Sequence, residues 1–267
     1  METYILKIGG GSVTHKDDNR REAKVDVIRR IAREIKRAKN SRAFRLVVVH
    51  GAGPFGHRLV TDYDIKEGLN SPGDVEGFVR THNSMEDLNK VFMDVFREEG
   101  LLGFPIQPSA VIIQNEKRID VFHTEVIEHL LGTSNDIIPI LYGDMVIDRA
   151  QKASVVSGDA IVPYLARKLK ANRILMGTDV DGIYTADPKL NPDAKFLEHI
   201  GPGNYEGVMR QIGEASTVDV TKGMKGKITE IIQNLSGFSV LIFNITEKDN
   251  VFKALAGHKI NGTEICV

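Results

Sequence analysis

The chain has 267 residues, 42% hydrophobic and 27% charged, enough apolar material for a packed core and an argument against wholesale disorder. Lysine plus arginine number 35 against 36 for aspartate plus glutamate, a net charge of −1 that gives no support to a nucleic-acid carrier or a polybasic membrane binder. The single cysteine, Cys266, rules out an intrachain disulfide framework and a cysteine zinc site. METYILKIGGG carries no basic region followed by a long apolar stretch, and no apolar run approaches the ~20 residues of a membrane span. A soluble, cytoplasmic globular protein is expected.

Taken in chain order, short β-branched runs alternate with helical periodicity, the pattern of a largely parallel sheet covered by helices. The first strand is expected at residues 4–8, then a helix over 22–39 with Val27, Ile28, Ile31 and Ile35 at helical spacing, then a strand at 45–49. A long helix is expected over 74–98. Leu88, Val91, Phe92, Val95 and Phe96 mark its apolar face, and Val75, Phe78, Val79 and Met85 extend that face towards its start. Residues 110–120 and 144–150 read as antiparallel hairpins, and strands follow at 137–141, 173–176 and 239–243 around a helix that starts near Gly158. The nearly continuous apolar character of LVVV, IIPIL and VLIF suits strands buried on both faces. Without repeats or a flexible linker, the expectation is an α/β chain of two lobes on one continuous sheet, divided softly near residue 170.

Three glycine-rich turns carry the chemical signal. Lys7-Ile8-Gly9-Gly10-Gly11-Ser12 ends the first strand, His50-Gly51-Ala52-Gly53-Pro54-Phe55-Gly56-His57 ends the second, and Lys222-Gly223-Met224-Lys225-Gly226-Lys227 opens a helix through Ile231 and Ile232. Glycine there lets backbone amides approach an anion, and a following helix N-terminus adds unpaired N–H groups. Gly51 to Gly56 formally satisfies GxGxxG, but Asp74 and Glu76, at the distance of a ribose-binding carboxylate, open a helix rather than close a strand. No GxxxxGK[ST] is present, so a P-loop kinase is excluded. No His, Cys and carboxylate cluster has metal-ligand spacing, and His50, His82, His123 and His129 read as packed or capping residues.

KIGGGS, HGAGPFGH, SGDA at 157–160, GTDVDGIYTADP at 177–188 and KGMKGK occur in this order. Together they resemble the amino acid kinase superfamily over nearly the whole chain, and within it the isopentenyl phosphate kinases, because His57 closes the second loop where the kinases of amino acids generally lack a histidine. Fosfomycin kinases share that histidine. Ala52 and Pro54 depart from the HGGGSFGH expected of the family. The resemblance implies a three-layer αβα sandwich around a mainly parallel sheet, with acceptor binding and homodimerisation in residues 1–170 and nucleotide binding in 171–267.

It also implies ATP and isopentenyl phosphate as substrates, with no nucleic-acid or membrane partner. Joining two phosphates brings multiply charged anions together, and one pair of unit charges ~4 Å apart repels by roughly 4 kcal/mol at an effective dielectric of about 20. Cations and amide dipoles must offset this, leaving little covalent work for the protein. By resemblance, Lys7 and Lys227 flank the transferring phosphoryl group and Lys16 reaches the same phosphates. His57 donates to the acceptor phosphate, the Gly158 N–H faces it, and Asp159 orients the lysines. Gly9, Gly10, Gly11, Gly53, Gly223 and Lys227 belong to the nucleotide phosphates, and Thr178, Asp179, Asp181, Gly182 and Tyr184, with Asp187 and Lys189 nearby, to the nucleoside. Ala52, Gly53 and Gly158 frame the acceptor, whose tail is expected against Phe78, Val79, Met85, Ile147 and Val156. Mg²⁺ is expected on the oxygens of ATP and water rather than on a protein cage. The alternatives are a kinase of another small phosphate or phosphonate, such as fosfomycin, and a non-catalytic nucleotide-binding subunit.

Overall fold

The computed structural model describes residues 1–15, 21–186, 191–214, 228–229, 231–235 and 237–266. The first half runs β1 (Thr3–Ile8), α1 (Gly10–Val13), α2 (Val25–Ser41), β2 (Arg45–His50), α3 (Pro54–Asp62), α4 (Pro72–Glu98), β3 (Leu102–Pro105), α5 (Pro108–Val111), β4 (Ile112–Asn115), β5 (Arg118–Phe122) and α6 (Glu125–Thr133). The second runs β6 (Ile137–Tyr142), β7 (Asp144–Asp148), β8 (Lys152–Val156), α7 (Gly158–Leu169), β9 (Arg173–Thr178), β10 (Ile183–Tyr184), β11 (Phe196–Leu197), β12 (His199–Ile200), α8 (Tyr205–Glu214), β13 (Ser239–Asn244), α9 (Asn250–Ala256) and β14 (Gly262–Cys266).

Eight strands form one sheet in the order β12-β14-β13-β9-β1-β2-β6-β3, with every pair parallel except β13–β14. β1 is apolar at almost every position because its side chains alternate between two cores. Tyr4, Leu6 and Ile8 enter one and Ile5 the other; in β2, Leu46 and Val48 enter the first and Val47 and Val49 the second. Ile28, Ile31 and Ile35 of α2, Leu88 and Phe92 of α4, and Val251 and Leu255 of α9 fill the first core. Ile127 of α6, Ile161 and Leu165 of α7, and Val208 of α8 fill the second, which completes the three layers. Hairpins form near both expected places but with shifted bounds, β4–β5 over 112–122 rather than 110–120 and β7–β8 over 144–156 rather than 144–150, and they join through β4 and β7 into a separate four-stranded sheet.

Two helices differ from the periodicity. α2 starts at Val25 rather than near residue 22, because Ala23 is paired in a bridge with Thr14. In α4 the capping box of Ser71 and Asp74 fixes the start, but Val75 and Val79 are 51% and 46% exposed. The buried stripe instead runs through Gly77, Thr81, Ser84, Met85 and Leu88. α3 and the residue after it crowd α4 at Gly77, where a Cβ would stand 2.5 Å from that of Tyr63. This crossing, invisible to the periodicity of α4 alone, decides which face is covered.

Candidate active site

β1, β2 and β9 are parallel, so their carboxyl ends open on the same edge of the sheet, where ligands of open α/β sheets bind. The turns there are joined by backbone bonds: Gly51 N–H donates to Ile8 O at 2.8 Å and Gly9 N–H to Gly177 O at 2.9 Å. The first two glycine loops touch main chain to main chain. A Cβ on Gly10 would lie 2.3 Å from the Gly53 nitrogen, so this position accepts only glycine without displacement. Around these loops lies a cavity of about 840 Å³.

Lys7 is placed by strand alternation on the α7 face of the sheet and is 7% exposed. Its Nζ donates to Asp159 Oδ1 at 2.5 Å. Asp159 is in the first turn of α7, which starts at Gly158 because the Ser157 hydroxyl accepts the Ala160 N–H at 3.1 Å as an N-cap. The starts of α3, with Pro54 at its first position, and of α7 both border the cavity, giving two positive dipole ends. His57, in α3, opens into the same cavity. The ring is exposed, and partial desolvation by the neighbouring loops lowers its pKa, opposed by the Asp159 carboxylate and assisted by Lys66 and Lys7, so the neutral ring with one N–H is favoured. The arrangement concentrates fixed donors and a paired ammonium where an anion of high charge can sit.

The lining also includes apolar residues, Val60 of α3, Met85 of α4, Met145 of β7 and Val156 of β8. Three polar groups also border the cavity. Ser12 Oγ and Thr81 Oγ1 are buried and have no hydrogen-bond partner among the described residues. The Asp144 carboxylate, fully buried, accepts from His82 Nδ1 at 3.0 Å and from the Met145 N–H at 2.8 Å. That pairing raises the pKa of His82.

The cavity brings together Lys7, Gly9, Gly10, Gly11, Ala52, Gly53, His57, Gly158 and Asp159, together with Met85, Val156, Thr178 and Asp179. Asp181, Gly182 and Tyr184 do not line it. Asp181 accepts from Asn244 Nδ2 at 3.0 Å, Gly182 lies tight against Thr263 and Phe196, and Tyr184 meets the Phe196 ring edge-on at 5.1 Å. Lys16, Asp187, Lys189, Gly223 and Lys227 lie outside the described residues.

Three expected tail contacts are corrected, the first being Val79, which is 46% exposed and does not line the cavity. Ile147 is 51% exposed, because its face of β7 is covered at Met145 and open at Ile147. Phe78 packs on the cluster of Val60, Ile65 and Met145 and does not itself reach the cavity. Val60, Thr81, Asp144 and Met145 take part instead; only the alternation of burial on α3, α4 and β7 could have indicated them.

Of the other histidines, His50 is packed: it stacks on Phe92 at 4.2 Å, and burial brings its pKa to about 4. His82 is an ion-pair partner of Asp144, whereas His123 and His129 are exposed rather than packed. The fold also does what linear spacing does not. His199, Glu264 and Cys266, on neighbouring strands β12 and β14, bring their donor atoms within 4.8 Å of one another, away from the cavity lining. At the cavity itself no such trio converges among the described residues.

Comparison with known proteins agrees with this geometry over the whole chain. The model of the amino acid kinase family matches residues 2–244. Isopentenyl phosphate kinase of Methanothermobacter thermautotrophicus is 37% identical over 98% of both chains, and that of Methanocaldococcus jannaschii 36% identical over 98% of this chain and 97% of its own. Among solved structures, one of isopentenyl phosphate kinase superposes with a TM-score of 0.85 at 34% identity, covering 99% of this chain and 100% of the other. A substrate complex of isopentenyl phosphate kinase superposes with a TM-score of 0.78 at 27% identity over the same shares. Fold, cavity and sequence together establish that the chain belongs to the amino acid kinase family.

Proposed function

We propose that the chain transfers the γ-phosphoryl group of ATP to isopentenyl phosphate, giving ADP and isopentenyl diphosphate in isoprenoid biosynthesis. The observation that carries this reading is one cavity lined both by an anion-binding set, Lys7–Asp159, His57 and two helix starts, and by the apolar side chains of Val60, Met85, Met145 and Val156. An amino acid acceptor would instead need partners for an α-amine and a carboxylate. Two relatives that match 98% of the chain at 37% and 36% identity are isopentenyl phosphate kinases.

In this reading an oxygen of the acceptor phosphate attacks the γ-phosphorus while the bond to the β–γ bridging oxygen breaks, and ADP leaves with the electron pair. The attacking oxygen is already ionised near neutral pH, so no general base is required. Neutral His57 is suited to donate to the acceptor phosphate, and Lys7, held by Asp159, to offset charge on the transferring group. Lys16 and Lys227 complete the cationic set, with Gly223 on the nucleotide phosphates and Asp181, Gly182, Tyr184 and Asp187 towards the nucleoside. Mg²⁺ bound to ATP supplies further charge neutralisation.

The lobe of residues 1–170 takes the acceptor and that of 171–267 the nucleotide, consistent with a cavity edged by β1 and β2 on one side and β9 on the other. A homodimer is part of the reading, supported by the exposed Leu102 and Phe104 of edge strand β3 and Val126 of α6. A cytoplasmic location fits the lack, among the described residues, of a helix long and apolar enough to cross a membrane.

ADP release measured with isopentenyl phosphate, glutamate, aspartate, uridylate and fosfomycin tests the assignment. Efficient turnover is expected for isopentenyl phosphate alone; an amino acid or fosfomycin used equally well would overturn it.

A further inference from the structure

Outside the cavity, the β12 edge of the main sheet brings three metal-ligating side chains of different chemistry together. β12 pairs parallel with β14 so that His199 stands opposite Glu264, and Cys266 follows two residues on, on the same face of its strand. One donor atom from each lies within 4.8 Å of the others. Three points so spaced have a centre within roughly 2.8 Å of all of them, about half an ångström beyond zinc bonds of about 2.0–2.3 Å. Small side-chain rotations close that gap, since His199 and Glu264 are exposed and Cys266 is half-buried, and the same exposure gives an ion a path from solvent. The backbone beneath is fixed: the Glu264 N–H donates to Glu198 O at 2.9 Å, and Asn204 Nδ2 donates to His199 O at 2.8 Å. The Ser239 hydroxyl, opposite Cys266 on β13, donates to Glu264 Oε1 at 2.8 Å and so orients the carboxylate, as the outer partners of metal ligands do.

From this convergence we infer that His199, Glu264 and Cys266 form a zinc site that ties edge strand β12 to β14. The single cysteine excludes a thiolate cage but not a mixed site, in which one thiolate, one imidazole and one carboxylate fill three tetrahedral positions and water the fourth. Sulfur and imidazole together select Zn²⁺ over Mg²⁺, which takes oxygen ligands. On binding, the Cys266 thiol releases its proton to solvent and a sulfur electron pair forms the bond to zinc, with no change of oxidation state. The consequence is structural. β12 contributes only His199 and Ile200 to the sheet before the chain enters α8, so a metal bond across the strand pair reinforces the shortest strand of that sheet.

The experiment titrates the full chain, reduced and metal-free, with Co²⁺ as a spectroscopic substitute for Zn²⁺. Cys266 is the only cysteine, so a thiolate-to-cobalt charge-transfer band reports this site alone. The band is expected to saturate at one equivalent with the visible spectrum of four-coordinate Co²⁺, to persist in excess Mg²⁺ and to bleach when Zn²⁺ is added. Cys266→Ser should abolish it. His199→Ala and Glu264→Gln should each weaken Co²⁺ binding at least tenfold, and Ser239→Ala, which removes no ligand, about tenfold. Zn²⁺ at about a hundredfold excess over its Kd should raise the Tm of wild type by about 5 °C and leave that of Cys266→Ser unchanged. Absence of the charge-transfer band, or equal affinity in His199→Ala and Glu264→Gln, would overturn the site. A Tm that Zn²⁺ moves equally in wild type and Cys266→Ser would overturn the tie between the strands.

Discussion

Replacing Gly10 by alanine places a methyl group 2.3 Å from the Gly53 nitrogen and 3.0 Å from two backbone atoms of Ala52. Ordinary contact requires roughly 1 Å more, and the obstructing atoms are main chain, so neither can rotate away. The two glycine loops must therefore separate by about that distance or the strands behind them must shift. Overpacking of this kind costs about 1–3 kcal/mol of stability. The functional cost is larger, because a misplacement of about 1 Å among groups that align a reaction can lower its rate ~100-fold. Steady-state ADP release should show kcat/KM for isopentenyl phosphate down by roughly that factor, while circular dichroism reports a folded protein with a lowered Tm. Gly132→Ala is the control: no atom lies within 4 Å of the added Cβ in α6, so activity should be unchanged and stability equal or higher by up to about 1 kcal/mol. A Gly10→Ala enzyme with kcat/KM within twofold of wild type would show that contact between the two loops does not position the reacting phosphates.

His57→Ala should impair both kcat and acceptor KM, and His57→Gln, which keeps a donor, should recover part of the loss; glutamine no better than alanine would remove hydrogen bonding as the role of His57. Met85→Ala should shift kcat/KM from five-carbon acceptors towards geranyl phosphate, whereas Phe78→Ala, outside the cavity lining, should shift it less; the reverse order would place the tail against Phe78. Acid stability should fall in two windows. His50 titrates near pH 4 when folded and near 6.5 when unfolded, so the unfolded chain gains a proton first and about 3 kcal/mol is lost as pH falls from 6.5 to 4. Burial alone would raise the pKa of Asp148, but hydrogen bonds from the Lys117, Gln151 and Ala150 amides and the Ser154 hydroxyl hold it at about 2, against 3.8 unfolded. Its contribution of roughly 2 kcal/mol is therefore complete above pH 4 and lost towards pH 2. Urea titrations across pH should give a shallower slope between 6.5 and 4 in His50→Gln; an unchanged slope would refute the buried neutral histidine.

The strands were legible because burial on both faces writes itself as unbroken apolar runs, and the anion-binding residues of the cavity because glycine and lysine are conspicuous at strand ends. The apolar lining was not. Val75, Val79 and Ile147 are apolar but exposed, and no local period shows that α3 crosses α4 at Gly77 or that β7 is covered only at Met145. Thr81 and Asp144 were harder still: both are buried beside a cavity, one without a partner among the described residues and the other against His82, and neither condition leaves a mark on the sequence. The cluster of His199, Glu264 and Cys266 was missed for the same reason, since strand pairing, not spacing, brings it together.

The most direct measurement is phosphorus NMR of the purified protein mixed with MgATP and isopentenyl phosphate. The monophosphate resonance should disappear as two coupled resonances of isopentenyl diphosphate grow, in step with ADP and without free inorganic phosphate. Inorganic phosphate released with the monophosphate left intact, or no change in either substrate, would contradict phosphoryl transfer to isopentenyl phosphate.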